Sequence, residues 1–409
     1  MRRVAVTGMG VISPVGNDVK SFWDSLVSGR CGIGHITRFD TAGHKVTLAA
    51  EVKDFDPLLH MEKTEVRRSD LYTQYAVAAA CQAMSDSGLS GVAPERLGVY
   101  FGSGIGGIIT FQSESEKLIN KGPSRISPLF VPTMIANIAA GVIAIRYGAK
   151  GPCLPVVTAC ATGTHSIGEA YRCILHGYAD AVIAGGAEAT VTSLAIAGFA
   201  NCMALSTKSD PLSASIPFDR RRDGFVLGEG AGALVLEEYH HAVSRGARIY
   251  AELCGYANTC DAYHITAPHP DAEGAAAAIA DAAAQAGIKS GEGVYINAHG
   301  TGTPLNDKAE TLAIKKAFGE SARKALISST KSMTGHMLGA AGAIEAVAAV
   351  MSLVSGIAPP TIGYTEPDEE CDLDYVPGEA RRYPGEYALS VSLGFGGHNA
   401  CIAFRKARA

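Results

Sequence analysis

No two of the ten cysteines are spaced C-x-x-C, which removes the zinc-knuckle and thioredoxin-type sites that this spacing builds. Positive charge is also short: 35 Lys and Arg stand against 40 Asp and Glu, a net charge of −5. That balance argues against a nucleic-acid partner, and it leaves room for a local basic patch facing an acidic protein. No apolar run is expected to reach the roughly 18–20 residues of a membrane span. The opening Met1-Arg-Arg-Val-Ala-Val-Thr-Gly8 enters a strand-like run without the layout of a signal peptide. Scattered thiols in such a chain read as reduced cysteines, so a cytoplasmic protein without membrane association is expected. Aromatic residues are sparse at 7%, whereas 47% of the chain is hydrophobic and 47 residues are glycine. This is the composition of a compact protein with close backbone approaches, not of a disordered one.

A chain of 409 residues exceeds one ordinary core, so two fused halves are expected. The polar hinge Val243 to Arg248 marks the boundary, giving residues 1–247 and 248–409. In the first half, strands are predicted at Arg3–Thr7 (ending at Gly8 and Gly10), Leu97–Phe101, the apolar run Leu154–Val157, Ala181–Ala184 and Gly230–Glu237. Helices are predicted at Asp18–Ser28, from Arg67-Arg68 to about Ser87, at Thr133–Tyr147 and at Gly163–His176, with a Pro/Ser loop over 121–132. The second half alternates strands at Tyr250–Tyr256, Val294–Ala298 and Ala325–Ser329 with helices at Asp271–Ala286, Asp307–Phe318 and about Ala340–Ser355. A hairpin of Tyr387–Leu393 and Asn399–Phe404 closes it. Such alternation predicts an α/β fold on mainly parallel sheets. The similar halves point to a duplication without an obvious residue-level repeat. Helices this rich in Ala and Gly are expected to be buried on all sides, in a layer between two sheets.

The candidate chemistry centres on Cys160, in Val156-Val-Thr-Ala-Cys160-Ala-Thr-Gly-Thr-His-Ser-Ile-Gly168. A strand turning sharply into a helix offers free N–H groups and the positive end of the helix dipole, which favours a thiolate at the turn. The alternative for any single cysteine is a buried structural thiol. Gly102-Ser-Gly104-Ile-Gly106-Gly107 matches G-x-G-x-x-G, but no carboxylate stands near Ser124 to Pro128, where a ribose-binding acid is expected. A glycine turn allowing close packing is therefore the reading there. Three later stretches place polar residues just after a buried strand, the usual position of catalytic groups in open α/β sheets. They are Asn297-Ala-His299-Gly-Thr301-Gly-Thr303-Pro304, Ser329-Thr-Lys331-Ser-Met-Thr-Gly-His336, and Gly394-Phe395-Gly396-Gly397-His398-Asn399. A cysteine nucleophile can hold an acyl group as a thioester, and two imidazoles can polarise a second carbonyl whose α-carbon becomes a carbanion.

Together these four stretches resemble the β-ketoacyl-[acyl-carrier-protein] synthases, most closely the type II elongating condensing enzymes of bacterial fatty-acid synthesis. The resemblance runs from Val6-Thr-Gly8 to Asn399 and includes Asp219-Arg-Arg-Arg-Asp223. It implies a thiolase-like fold of two duplicated halves in five layers, α-β-α-β-α, usually as a homodimer. Carried onto this chain, it makes Cys160 the acyl-accepting nucleophile and His299 and His336 its partners in a Cys-His-His triad. Lys331 would tune and orient His336 through a hydrogen-bond network, with Glu345 as the carboxylate of that network. Backbone N–H groups of Cys160 and Phe395 would form the oxyanion hole, the Phe395 ring would act as a gate, and Gly396 beside it would bind substrate. Thr301 and Thr303 would bind the phosphopantetheine arm, and Ile105 and Phe199 would line the acyl pocket. The implied partner is an acidic acyl carrier protein docking on Arg67 and Arg68, and no metal or organic cofactor is implied. Met203 stands where relatives often have a carrier-contacting arginine, and His398 where they have threonine or histidine. The same residues would serve a polyketide ketosynthase, whereas a non-catalytic chain-length partner subunit would lack Cys160.

Overall fold

The structure, a computed structural model, describes residues 2–289 and 292–407. Met1, Ser290, Gly291, Arg408 and Ala409 lie outside the described residues. Ten strands form one sheet: β1 (Val4–Ile12), β2 (Leu97–Gly102), β3 (Cys153–Leu154), β4 (Ala181–Glu188), β5 (Gly230–Glu238), β6 (Ala251–Cys260), β7 (Tyr295–Asn297), β8 (Leu326–Ser328), β9 (Tyr387–Gly394) and β10 (His398–Lys406). Their order is β8-β7-β9-β10-β6-β1-β5-β4-β2-β3. Each half of that order repeats the other: third, second, fourth, fifth, first strand, counted along each half. The pairing directions repeat as well. Within each half the third, second and fourth strands are parallel, and the fourth–fifth and fifth–first pairs are antiparallel. An antiparallel seam, with Val4 opposite Leu253, joins the halves. The sheet is therefore mixed, not mainly parallel. Only the crossover strands need parallel pairing; β9–β10 is a hairpin, and β5 runs opposite to both its neighbours.

Six helices build the layers. α1 (Leu71–Ser87) and α2 (Ile138–Tyr147) cover the outer face of the first half-sheet. α4 (Glu273–Ala286) and α5 (Pro304–Phe318) form the outer layer of the second half. Between the half-sheets lie α3 (Thr162–Leu175) and α6 (Ala341–Ser355), which contact strands of both. This is the five-layer, thiolase-like arrangement. Every residue of α6 from Ala341 to Val350 is buried, as expected of an all-round apolar helix. The stretch Leu338–Ser355 is in fact long and apolar enough to pass as a membrane span by length and composition, contrary to the sequence reading, and it is 83% buried inside the protein.

Close approach explains several boundaries. β1 runs through Gly8 and Gly10 to Ile12 instead of stopping at them, because α1 lies directly against it. A Cβ on Gly10 would sit 2.0 Å from the Ala79 carbonyl oxygen, so only glycine lets helix and strand pack there. α1 begins at Leu71, not at Arg67-Arg68: the Asp70 side chain accepts from the Tyr72 N–H and caps it. Arg67 and Arg68 occupy the turn after a separate short helix, Lys63–Val66. Ile108–Lys121 is a further helix that the sequence pattern did not show, and the segment read as one helix from Thr133 divides into Phe130–Met134 and α2.

Candidate active site

The second, third and fourth strands of each half all end on the same side, and the loops that follow carry the site. β3 is shorter than the apolar run predicted: it ends at Leu154, and Val157 is 52% exposed at the sheet edge. The chain then enters a 3₁₀ turn, Ala159–Ala161, which runs into the N-terminus of α3. Ala159 adopts φ +50°, a left-handed conformation that non-glycine residues occupy at a cost and that tertiary contacts must hold. The Cys160 thiol, at the crest of the turn, is buried.

Burial pushes that thiol up to about 12, although the Lys331 charge and the backbone N–H groups of Phe395 and Cys160 pull it down. The sequence argument for a stabilised thiolate therefore identified real contributions but not the larger one, since loss of water outweighs them. The two N–H groups that act on the sulfur are those expected of the oxyanion hole. Their proximity follows from Gly394, where a Cβ would lie 3.4 Å from the Cys160 nitrogen. The Phe395 turn closes with the Gly397 N–H donating to the Gly394 carbonyl at 3.1 Å, while the Gly396 N–H donates to Ile265 at 2.8 Å.

His299 follows β7. Its own N–H and that of Gly300 donate to the Glu310 carboxylate of α5 at 2.6 and 2.7 Å, which fixes the loop. His336 follows β8 and is pinned between strands of loop: its N–H donates to Val226, and its carbonyl accepts from Gly228. The two rings meet edge to face, with centroids 5.3 Å apart, and Phe225 packs on the other side of His336 at 5.1 Å. Nδ1 of His299 and both ring nitrogens of His336 are buried without a hydrogen-bond partner among the described residues. Burial and the Lys331 charge hold both imidazoles well below their ordinary pKa. They are thus neutral, each with one N–H to donate.

The Lys331 ammonium is paired with the Glu345 carboxylate, both essentially inaccessible to water. The sequence reading has Lys331 act on His336 through a hydrogen-bond network that includes Glu345; the ammonium is bonded to that Glu345, and it reaches the histidines and Cys160 through its field. A dry surrounding makes such a field strong.

Cys160, His299, His336, Phe395, Thr301 and Thr303 line one cavity of about 270 Å³. The two threonine hydroxyls are 3.0 Å apart. Phe199 packs on Phe225, and both belong to the apolar cluster that includes Cys160. Other predicted residues are not brought there. Ile105 is 39% exposed, and its N–H is tied to Glu188. Gly396, Arg67 and Arg68 do not line the cavity, and both arginines are exposed. Met203 lines the cavity mouth and is 88% exposed. His398 lies behind the nucleophile turn, beside His165.

Two carboxylates that hold the site were not assigned roles from sequence. Glu188, at the end of β4, accepts from Ser103, Gly104, Ile105 and Gly339. This occupies the amides of the Gly102–Gly107 turn and excludes a phosphate cradle. Burial raises Glu188 to about 7 and Glu310 to about 8. Glu310 was detectable in principle: Asp307 and Glu310 are three residues apart on one face of α5, directly after the Thr301–Thr303 loop. Among the described residues no group of three or more His, Cys, Asp or Glu side chains is placed to hold a metal ion.

Comparison with known proteins agrees with this geometry. Residues 1–242 match the family described as Beta-ketoacyl synthase, N-terminal domain, and residues 250–365 match Beta-ketoacyl synthase, C-terminal domain. Relatives called 3-oxoacyl-[acyl-carrier-protein] synthase 2, from Synechocystis sp. and Staphylococcus aureus, are each 52% identical over 99% of this chain and 98% of their own. Among solved structures, a type II polyketide ketosynthase in complex with its acyl-carrier protein is 37% identical with a TM-score of 0.91, covering all of both chains. A β-ketoacyl synthase from Burkholderia phymatum is 35% identical with a TM-score of 0.93 over the same coverage. The chain belongs to the β-ketoacyl synthase family.

Proposed function

We propose that this chain is a 3-oxoacyl-[acyl-carrier-protein] synthase that elongates fatty acyl chains by two carbons in a decarboxylative Claisen condensation. The observation that carries the reading is the one cavity lined by Cys160 and by two neutral imidazoles, whose buried ring nitrogens find no partner among the described residues. The 52% identity to fatty-acid-type relatives exceeds the 37% to polyketide ketosynthases, and the presence of Cys160 speaks against a non-catalytic chain-length subunit.

The mechanism follows from the positions. The Cys160 sulfur attacks the thioester of an acyl carrier protein, the oxyanion is held by the Cys160 and Phe395 N–H groups, and the carrier thiol leaves with the proton. Each such donor is typically worth about 10²–10³ in rate. A malonyl-carrier then enters along Thr301 and Thr303, and the His299 and His336 N–H groups hold its thioester carbonyl. Loss of carbon dioxide leaves the electron pair on the α-carbon as an enolate, which attacks the Cys160 thioester. Collapse of that adduct breaks the acyl–sulfur bond, releases the 3-oxoacyl-carrier and expels the Cys160 thiolate, which takes a proton from water to restore the thiol. The departing carboxylate generates the carbanion, so the reading calls for no cofactor beyond the carrier's phosphopantetheine. In this reading residues 1–247 supply the nucleophile and 248–409 the two histidines, Glu345 holds Lys331, and Arg67 and Arg68 offer charge to the acidic carrier. A homodimer is also proposed, supported by the unpaired edge of β3 with Leu154 and Val157 exposed, beside the exposed Ile145 of α2.

The test incubates the protein with acyl- and malonyl-carrier protein and reads product mass, which should rise by one two-carbon unit. His336→Ala should spare Cys160 self-acylation to within about tenfold while decarboxylation of malonyl-carrier falls by about 10²-fold or more, the loss typical of one electrophilic donor. Equal loss of both steps would reject this division of labour.

A further inference from the structure

Behind the nucleophile turn lies a buried histidine that the condensation chemistry does not use. His165 sits on the first turn of α3, and its Nδ1 is 2.7 Å from the Thr158 hydroxyl. Thr158 is held at every polar group it has. Its N–H donates to the Thr162 hydroxyl at 2.9 Å, its carbonyl accepts from the Ala161 N–H at 3.1 Å, and its hydroxyl meets His165. The next residue is Ala159 at φ +50°, followed by Cys160. A left-handed alanine persists only where its neighbours over-determine it, and Thr158 is the neighbour on the N-terminal side.

The other side of the His165 ring faces the far end of the Phe395 loop. The His398 ring meets it edge-on at 6.3 Å. Tyr256 closes a third side at 6.3 Å, with its hydroxyl bonded to Glu169. The near end of the same loop rests on Thr158 directly, since a Cβ on Gly394 would come within 2.8 Å of the Thr158 oxygen. His165 thus stands between the segment that carries the Cys160 N–H and the segment that carries the Phe395 N–H.

We propose that His165 is a positioning residue for acyl transfer, bracing Thr158 against the His398 end of the Phe395 loop and so setting the spacing of the two oxyanion-hole N–H groups. The proposal rests on the condensing-enzyme reading above and adds to it a residue that touches neither substrate. It separates from a merely structural histidine because the two half-reactions use different donors. Self-acylation of Cys160 needs the oxyanion hole; malonyl decarboxylation needs His299 and His336, whose loops are anchored on Glu310 and Val226.

The experiment uses the full chain and measures three quantities: the rate of Cys160 thioester formation from acyl-carrier protein, the rate of carbon dioxide release from malonyl-carrier protein, and the melting temperature. His165→Ala is expected to slow acylation by about 10- to 100-fold, below the full loss of a donor, with decarboxylation changed less than about threefold. His165→Asn, which keeps a polar atom near the Nδ1 position, should recover most of the acylation rate. Thr158→Val removes the same contact from the other end with little change of shape, and it should reproduce the His165→Ala split even if that variant folds poorly. The proposal is overturned if both half-reactions fall together, if His165→Asn is as slow as His165→Ala, or if Thr158→Val acylates at the normal rate. Absence of any 3-oxoacyl product from the unmodified protein would instead reject the condensing-enzyme reading itself.

Discussion

Cys160→Ala abolishes covalent acylation and lowers condensation by about 10⁴-fold or more, as removal of a catalytic nucleophile does elsewhere. The protein itself should survive the change: a thiol replaced by a methyl group leaves only a small gap, lined by residues such as Leu338 and Ile196 of the same apolar cluster. Intact-protein mass spectrometry after mixing with acyl-carrier protein reads the result directly. An alanine variant that still gains the acyl mass, or condenses at the normal rate, refutes the assignment of Cys160. The same burial that makes the thiol a poor acid sets a pH signature for the unmodified enzyme. With the thiol raised to about 12, the thiolate fraction grows tenfold per pH unit throughout the neutral range. The acylation rate should therefore climb from pH 7 to 9, where an already ionised cysteine would give a flat profile.

Glu345→Ala destabilises the fold by about 3–5 kcal/mol, the usual penalty for removing one partner of a buried ion pair. The cause is the charge left behind. Lys331 is inaccessible to water in the centre of the site, and Glu345 is the carboxylate bonded to its ammonium. Thermal or urea unfolding measures the loss, and a cost below about 1 kcal/mol, as for exposed ion pairs, contradicts the buried pairing. The double variant Lys331→Met with Glu345→Leu should regain most of that stability, because buried ion pairs exchanged for apolar groups of like volume are often neutral. It should not regain activity. The Lys331 charge helps to hold His299 and His336 in their neutral form and lowers the Cys160 thiol. Its removal lets the imidazoles take protons more readily and makes the thiol a weaker acid, so both half-reactions suffer while the fold does not.

Most of the element order, and the chemistry those elements carry, was legible in the residues alone. Thr158 to Gly163, Asn297 to Pro304, Thr330 to His336 and Gly394 to Asn399 each follow a strand-forming run, and that position alone puts their side chains at strand ends. Glycine and alanine content predicted the buried middle layer because small side chains are what helices sandwiched between sheets require. Local pattern also misled in local ways. Gly8 and Gly10 read as strand terminators, yet they are the contact points of α1, a distinction that depends on a helix seventy residues away. Pairing direction was not legible, since apolar runs look alike in parallel and antiparallel strands.

How the groups act on one another depends on the folded arrangement. Duplication of the strand order brings loops from both halves to one cavity, and burial there does what no spacing rule foretells. It raises Cys160, Glu188 and Glu310 and depresses His299 and His336. It pairs Lys331 with Glu345 out of reach of water, so that its charge acts on the site through its field. It also leaves Ile105 at the surface and sets His165 behind the nucleophile. The physical reason is that a residue's identity fixes which charge or proton it can carry, while desolvation and the charges around it fix whether it does so, and both are properties of the folded whole.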